Sequence, residues 1–171
     1  MLRNARAAVA AARALGVEPG GRVEVALSAM RGQRIELPGS IIVVNDCYNA
    51  NPMSMRAALD DLAVSADGRR VAVLGDMLEL GPDERRFHAE IGDHARAAGV
   101  ELLVTVGPLA RERADILITV GPLAAAMGGD HAAADAAEAA DLVAGLIAPG
   151  DTVLVKASRG VGLEAVAEAL V

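Results

Sequence analysis

Four short apolar runs, each closed by a polar loop, constrain this chain more than any other feature: Ile41–Asn45, Val71–Leu74, Leu102–Val106 and Thr152–Lys156. Runs of four or five mostly β-branched residues, apolar on successive rather than alternate positions, are the pattern of strands buried on both faces. Between them lie segments of helical texture. Ser54–Ala66 places Leu59, Leu62 and Ala63 on one face, Glu84–Ala98 follows the second run, and Val161–Leu170 closes the chain. Strand–loop–helix repeated in this way predicts βαβ units and a Rossmann-like α/β fold: an open, mainly parallel sheet with helices on both faces. The 171 residues contain one Phe, one Tyr and no Trp, so the core must be filled by Ala, Val, Leu and Ile. That filling favours helices packed closely on a parallel sheet over an aromatic-rich β-sandwich.

The first 37 residues do not share the pattern. Asn4–Leu15 is Ala-rich and stopped by Gly16, which reads as a helix, and Val23–Met30 as a second, shorter one. Arg31–Gly39 has no sustained periodicity and carries two glycines and a proline, the texture of a linker or edge turn. Residues 1–37 are therefore expected to be the helical end of a different domain, and residues 38–171 the Rossmann-like domain. One oddity is that Val104-Thr-Val-Gly-Pro-Leu-Ala110 recurs as Ile118-Thr-Val-Gly-Pro-Leu-Ala124. Two copies at so short a period do not make a solenoid; they read as a local duplication in a tolerant connection.

Composition excludes several function classes. The net charge is −7, which disfavours a nucleic-acid surface, because phosphate neutralisation needs clustered Lys and Arg. No apolar run reaches the ~18 residues of a membrane span, and no secretory leader is evident, so a cytoplasmic location is expected. Cys47 is the single cysteine and cannot form an internal disulfide. His88, His94 and His131 have no thiols beside them, so no zinc site and no other metal site is expected. Neither a P-loop nor a G-x-G-x-x-G turn occurs; Gly160-Val-Gly162 is the nearest approach. No serine elbow or Cys–His pair stands out, and Cys47 adjoins Asp46, which disfavours its thiolate.

Ligands of open α/β sheets bind beyond the carboxyl ends of the strands, and three such ends here are polar. Asn45-Asp-Cys-Tyr-Asn-Ala-Asn-Pro52 offers the Asp46 carboxylate for a ribose diol or a metal. It also offers the amides of Asn49 and Asn51 and a helix start at Pro52, with Asn51 or Ser54 as the cap. Gly75-Asp-Met-Leu-Glu-Leu-Gly81 places Asp76 at a strand end. Lys156-Ala-Ser-Arg-Gly160 sets Lys156 and Arg159 about the Ser158 hydroxyl, a cradle for carboxylate or phosphate.

In this order the three loops resemble the C-terminal part of the Mur ligases, MurF type. The family pattern reads D-D-S-Y-N-A-N-P-x-S, then L-G-D-M-x-E-L-G with a downstream His, then V-K-G-S-R. The matching strings here are Asp46-Cys-Tyr-Asn-Ala-Asn-Pro52 with Ser54, Leu74-Gly-Asp-Met-Leu-Glu-Leu-Gly81 with His88, and Leu154-Val-Lys-Ala-Ser-Arg159. Asn4 and its helix look like the end of the family's central ATP-binding domain, and Gln33-Arg34 like the G-R of the interdomain linker. Asn45, Cys47, Ala157 and Gln33 depart from the pattern, and a Cβ at Ala157 would crowd a ligand if its backbone had positive φ.

The resemblance implies an ATP-dependent ligase, working with Mg2+, that adds D-Ala-D-Ala to UDP-MurNAc-tripeptide through an acyl phosphate in peptidoglycan precursor synthesis. It implies that Arg34 and Asp46 contact ATP, with Tyr48, Asn49 and Asn51 on the nucleotide side. Asp76, Lys156, Ser158 and Arg159 would lie on the D-Ala-D-Ala side, with no residue assigned as a catalytic nucleophile. The family's P-loop and UDP-substrate domains have no counterpart in the sequence, so they would be partners of this chain, which is expected to be inactive alone. Two other classes stay open: a stand-alone nucleotide- or dinucleotide-binding domain, and a non-catalytic module for a peptide or protein partner.

Overall fold

The computed structural model describes residues 2–21, 30–106, 127–128 and 131–171. Within them six strands form one sheet: β1 (Gln33–Leu37), β2 (Ile41–Asn45), β3 (Arg70–Gly75), β4 (Leu102–Val106), β5 (His131–Ala133) and β6 (Thr152–Lys156). Their spatial order is β1-β2-β6-β3-β4-β5. All neighbours are parallel except β1 and β2, which form an antiparallel hairpin. The helices are α1 (Leu2–Ala14), α2 (Pro52–Ser65), α3 (Glu84–Ala97), α4 (Ala136–Leu146) and α5 (Glu164–Ala169). The expected α/β architecture is the one observed.

The strand pleat sorts the core into two layers. Val43, Val71, Val73, Val104, Val153 and Val155 face Ala139 and Val143 of α4 and Val166 and Ala167 of α5. Val44, Ala72, Leu74, Leu103 and Leu154 face Met55, Leu59 and Leu62 of α2 and Ile91 and Ala95 of α3. Among the described residues the Phe87 ring packs only partly against the core, and Met55, Met77 and Met127 are fully buried in it. β6, last in sequence, enters the slot between β2 and β3 and is buried along its whole length. That crossing sets the loops after β2, β6 and β3 side by side at one edge of the sheet. At the other end of β6, Arg69 closes on the buried Asp151 carboxylate at 2.6 Å. Burial alone would raise the Asp151 pKa, but the Arg69 hydrogen bonds, the Ala148 N–H and the Arg69 charge outweigh it and hold the carboxyl below its ordinary range.

Three sequence expectations change. The stretch expected to be a linker contains β1, whose Ile35 and Leu37 are half-buried while Gln33, Arg34 and Glu36 are exposed. Only one face of this edge strand is covered, so its apolar signal is two residues. The division expected between residues 37 and 38 therefore falls inside the β1–β2 hairpin, whose turn uses Gly39 and Ser40 at positive φ. Secondly, β5 and α4 occupy a region for which the apolar runs predict nothing. Thirdly, the closing helix is shorter, with a 3-10 turn over Arg159–Val161 and a left-handed Gly162 before α5. Ala157 has no positive φ, so its replacement of the family's glycine strains no backbone.

The helix read at Val23–Met30 and the second copy of the repeated heptapeptide lie outside the described residues, apart from Met30; the first copy's Val104–Val106 ends β4. Among the described residues no part of the core comes from α1, whose side chains from Ala5 onward are nearly all exposed.

Gly75 and Ala157 are locked together by packing. A Cβ built on Gly75 would stand 2.7 Å from the Ala157 Cβ and 3.1 Å from Val161 Cγ1. Gly75→Ala should therefore destabilise the chain by roughly 1–3 kcal/mol. Adding Ala157→Gly should recover part of that loss, and chemical denaturation of the two single variants and the double variant measures the coupling. Strictly additive effects would show that the two positions do not collide.

Candidate functional site

Backbone geometry at the end of β2 builds the first wall. The Asn45 side-chain oxygen accepts the Cys47 N–H at 3.3 Å, while the Asp46 N–H continues the ladder to the Val155 carbonyl at 2.9 Å. Asn51 then caps α2: its side chain accepts the Ser54 N–H at 2.9 Å and Ser54 Oγ accepts the Asn51 N–H at 3.0 Å. This reciprocal box, with Pro52 at the first turn, fixes where α2 leaves the loop. The Asn51 side-chain oxygen is thus committed to the helix, as capping alone would require.

Lys156 ties the loop down from below. It is the chain's one lysine, and its side chain is 2% exposed. It stands on the α2 side of β6, one pleat beyond Leu154. Its ammonium donates to Asp46 Oδ2 at 2.6 Å, to the Asn49 carbonyl at 3.0 Å and to the Asp46 carbonyl at 3.4 Å. Three donors meet three acceptors, so this cation is spent inside the protein. The Asp46 side chain stays 24% exposed, which leaves part of it facing solvent.

Ser158 joins the other two loops. Its N–H donates to the Asp76 carbonyl at 3.0 Å, and its hydroxyl accepts the Leu78 N–H at 2.9 Å and donates to the Ala50 carbonyl at 3.3 Å. His88 on α3 secures the Asp76 loop from the opposite side. Its Nε2 accepts the Met77 N–H at 2.9 Å and its Nδ1 donates to the Glu84 carbonyl at 2.7 Å. An amide N–H can only donate and a carbonyl only accept, so the ring is neutral with its proton on Nδ1. Burial lowers its pKa and keeps it so. Burial, followed by the charges of Glu164 and Asp46, pushes the Cys47 thiol up to about 12, which removes it as a nucleophile.

These ties shape a cleft of about 500 Å³ between the loop after β2, the first turns of α2 and the segment preceding β1. It brings together Asp46, Tyr48, Asn49, Asn51 and Lys156 from the sequence-read set. Lys156 thus sits with the residues expected on the nucleotide side, not as an open cation on the rim. Arg34 lies along α2, with both guanidinium nitrogens 3.3 Å from Ser65 Oγ and one 3.9 Å from Asp61, which lines the cleft. Asp76, 7% exposed, and Ser158 belong to the β3–β6 side. Arg159 is exposed and its guanidinium carbon lies 5.6 Å from the Tyr48 ring centroid, so the tyrosine adjoins both groups.

Sequence reasoning missed Arg31, whose guanidinium carbon stands 3.7 Å over the Tyr48 ring. Met30 and Gly32 flank it at φ 61° and 66°, and the Tyr48 N–H donates to the Met30 carbonyl at 3.1 Å. Gly32 was the available signal; the left-handed Met30 had none.

A family model described as "Mur ligase, glutamate ligase domain" matches residues 30–159. The chain belongs to the Mur ligase family. The match begins before β1, in agreement with a sheet that starts at Gln33. Curated Mur ligases named UDP-N-acetylmuramoyl-tripeptide–D-alanyl-D-alanine ligase are similar over nearly the whole chain. The protein from Mycobacterium leprae is 38% identical over 94% of this chain and 35% of its own length. That from Bacillus subtilis is 32% identical over 98% and 37%. Among solved structures, MurF from Thermotoga maritima in complex with ADP superposes with TM-score 0.74 and 26% identity, over 99% of this chain and 37% of its own. MurF from Acinetobacter baumannii gives 0.74 and 29%, over 99% and 36%. The chain is therefore of the MurF type and spans little more than a third of the length of these relatives.

The Lys156–Asp46 pair predicts an asymmetry. Removing the carboxylate leaves a fully enclosed ammonium, whereas removing the ammonium leaves a carboxylate that water can reach. Asp46→Ala should cost roughly 3–5 kcal/mol, and Lys156→Met, which keeps the packed stem, roughly 1–3 kcal/mol. Urea titration of the two variants tests the order, and equal or reversed losses would contradict it.

Proposed function

We propose that this chain is the C-terminal segment of an ATP-dependent MurF-type ligase, which joins D-Ala-D-Ala to UDP-MurNAc-tripeptide through an acyl phosphate in a cytoplasmic step of peptidoglycan precursor synthesis. The observation that carries the proposal is the preformed cleft on the MurF-type strings: Tyr48 flanked by two guanidiniums, with Asp46, Asn49 and Asn51 around it. An aromatic face, amide groups and a partly open carboxylate suit a nucleoside, with Asp46 accepting from ribose hydroxyls. Arg159, exposed beside the buried Asp76, suits a dipeptide whose carboxylate pairs with the guanidinium and whose ammonium turns toward the acid. Ser158 and Lys156 are then positioning residues, since their polar atoms are bonded within the protein.

Among the described residues no three His, Cys, Asp or Glu side chains form a metal cage; Mg2+ in the complete ligase would enter with the phosphates of ATP and would supply charge neutralisation there. ATP, when bound, supplies the phosphoryl group that activates the acceptor carboxylate. This chain's residues position the nucleoside and the incoming amine, and rate then comes from orientation and charge placement rather than a covalent nucleophile. Residues 2–21 and the exposed α1 would belong with the neighbouring ATP-binding domain. No helix among the described residues is long and apolar enough to cross a membrane. The 3-10 turn at Arg159–Val161, where a dinucleotide fold would open a long helix on a glycine loop, favours the ligase reading over the dinucleotide one.

The pure chain with ATP, UDP-MurNAc-tripeptide and D-Ala-D-Ala should release no phosphate. Joined to the preceding portion of the Mycobacterium leprae ligase, it should release phosphate only when D-Ala-D-Ala is added. Arg159→Ala in that fusion should raise KM for the dipeptide about 10- to 100-fold, the equivalent of one charge-assisted contact. Turnover by the chain alone, or a folded fusion whose phosphate release ignores the dipeptide, would overturn the reading.

A further inference from the structure

The loop after β3 is pinned at three successive residues. The Asp76 carbonyl takes the Ser158 N–H at 3.0 Å, the Met77 N–H goes to His88 Nε2 at 2.9 Å, and the Leu78 N–H goes to Ser158 Oγ at 2.9 Å. The amide and hydroxyl of Ser158 keep their character at any pH near neutrality, and the imidazole does not. His88 is completely buried, and its Nδ1 is already committed as donor to the Glu84 carbonyl. A second proton would have to go on Nε2, where it would point at the Met77 N–H. Two donors would then face each other, and that contact would have to open.

The charges on the elements around the ring are engaged elsewhere or outweighed. α3 packs on α2 and on the 3-10 turn Gly81–Asp83. On α2, Arg56 pairs with Glu90, Asp60 with His94 and Asp61 with Arg34; at the turn, Asp83 pairs with Arg86. The sheet face on this side presents Ala72, Leu74 and Leu103, then Lys156, which is bound to Asp46. On the loop itself Glu79 is exposed and Asp76 is buried. Glu84, one turn before His88, favours the cation, but burial outweighs it and lowers the ring's pKa from its ordinary 6.5.

We propose that His88 is a positioning residue for the amino-acid side of this site: its neutral ring keeps the loop after β3 closed on the Ser158 turn, so that Asp76 and Arg159 stand together for a zwitterionic dipeptide, and protonation of the ring releases the loop. The inference rests on the dipeptide reading of Asp76 and Arg159 and goes beyond it by naming the group that fixes their arrangement and makes it sensitive to acid. Ser158 immediately precedes Arg159, so the loop's hold on Ser158 also sets where the guanidinium leaves the chain. Because the native ring takes its proton less readily than a free one, the hold is complete above the ordinary histidine value and is lost as pH falls through the lowered native value.

The isotope-labelled full chain would be followed by NMR from about pH 8 to about pH 5, with D-Ala-D-Ala titrated in at each pH. The Met77, Leu78 and Ser158 amide signals should move together with the His88 ring signals, at a midpoint below 6.5. Beneath that midpoint the dipeptide should bind about tenfold more weakly, the equivalent of one lost hydrogen bond. His88→Leu, which offers Met77 no acceptor, should bind it about tenfold more weakly at every pH. His88→Gln, whose side-chain oxygen can accept the Met77 N–H but does not titrate, should bind it more tightly than His88→Leu and with no step at that midpoint, while His94 and His131 still titrate. A merely structural histidine would change stability in these variants without tying dipeptide affinity to its own titration.

If the dipeptide binds at neutral pH but the loop amides do not follow the His88 ring, or the ring stays neutral until the whole chain unfolds, the role of His88 is overturned while the dipeptide reading stands. An equal loss of affinity in acid for His88→Gln would overturn it in the same way. If D-Ala-D-Ala moves no signal of the loop or of Arg159 at high millimolar concentration at any pH, both fall.

Discussion

A single ammonium organises the carboxyl edge of this sheet. Lys156 comes off β6, the strand that closes the gap between β2 and β3, and spends its three hydrogens on Asp46 Oδ2 and the carbonyls of Asp46 and Asn49. In a low-dielectric setting an unpaired ammonium would be very costly, and a loop that lost it would expose several unsatisfied acceptors. The loop after β2 therefore has one low-energy arrangement, and that arrangement defines the cleft wall. Tyr48, the Asn51 cap and the start of α2 all depend on it.

The neighbouring ties share this logic. Ser158 holds the β3 and β2 loops with one hydroxyl and one amide, and a neutral His88 holds the Asp76 loop from α3. Polar residues that match the family's strings thus divide into two kinds. Lys156, Ser158 and His88 shape the edge from within, and Tyr48, Asn49 and Arg159 face outward from it. A rim preorganised in this way lets ligand binding proceed without first ordering the loops. Gly75 belongs to the same construction, because its missing side chain gives Ala157 the space to carry β6 past β3 into the Ser158 turn.

Most of the sheet was legible because the buried strands are continuous apolar runs; Ile41–Asn45, Leu102–Val106 and Thr152–Lys156 coincide with β2, β4 and β6 residue for residue. What was hidden was hidden for physical reasons. β1 covers one face only and shows two apolar residues, and β5 has three residues. α4 is Ala-rich, and its start was readable in principle from Asp135, which caps the Ala137 and Glu138 amides, and from Glu138, which reaches back to the Ala134 N–H. At the site, the residue types of the three loops were legible but their direction was not. Lys156 read as an open cation, yet the pleat that turns Leu154 toward α2 turns Lys156 the same way. Arg31 was obscured by a segment that reads as a linker until its backbone is seen.

Lys156 is closed off by its own loop in the native chain, and amine accessibility measures this directly. Acetylation in a short pulse across a urea series, read at Lys156 by peptide mass spectrometry, compares local opening of the loop with global unfolding. Lys156 should stay unlabelled in native conditions and become reactive along the global unfolding transition. Labelling in the absence of urea at the rate of a lysine in an unfolded peptide would contradict it, because the ammonium would then not be what holds the site together.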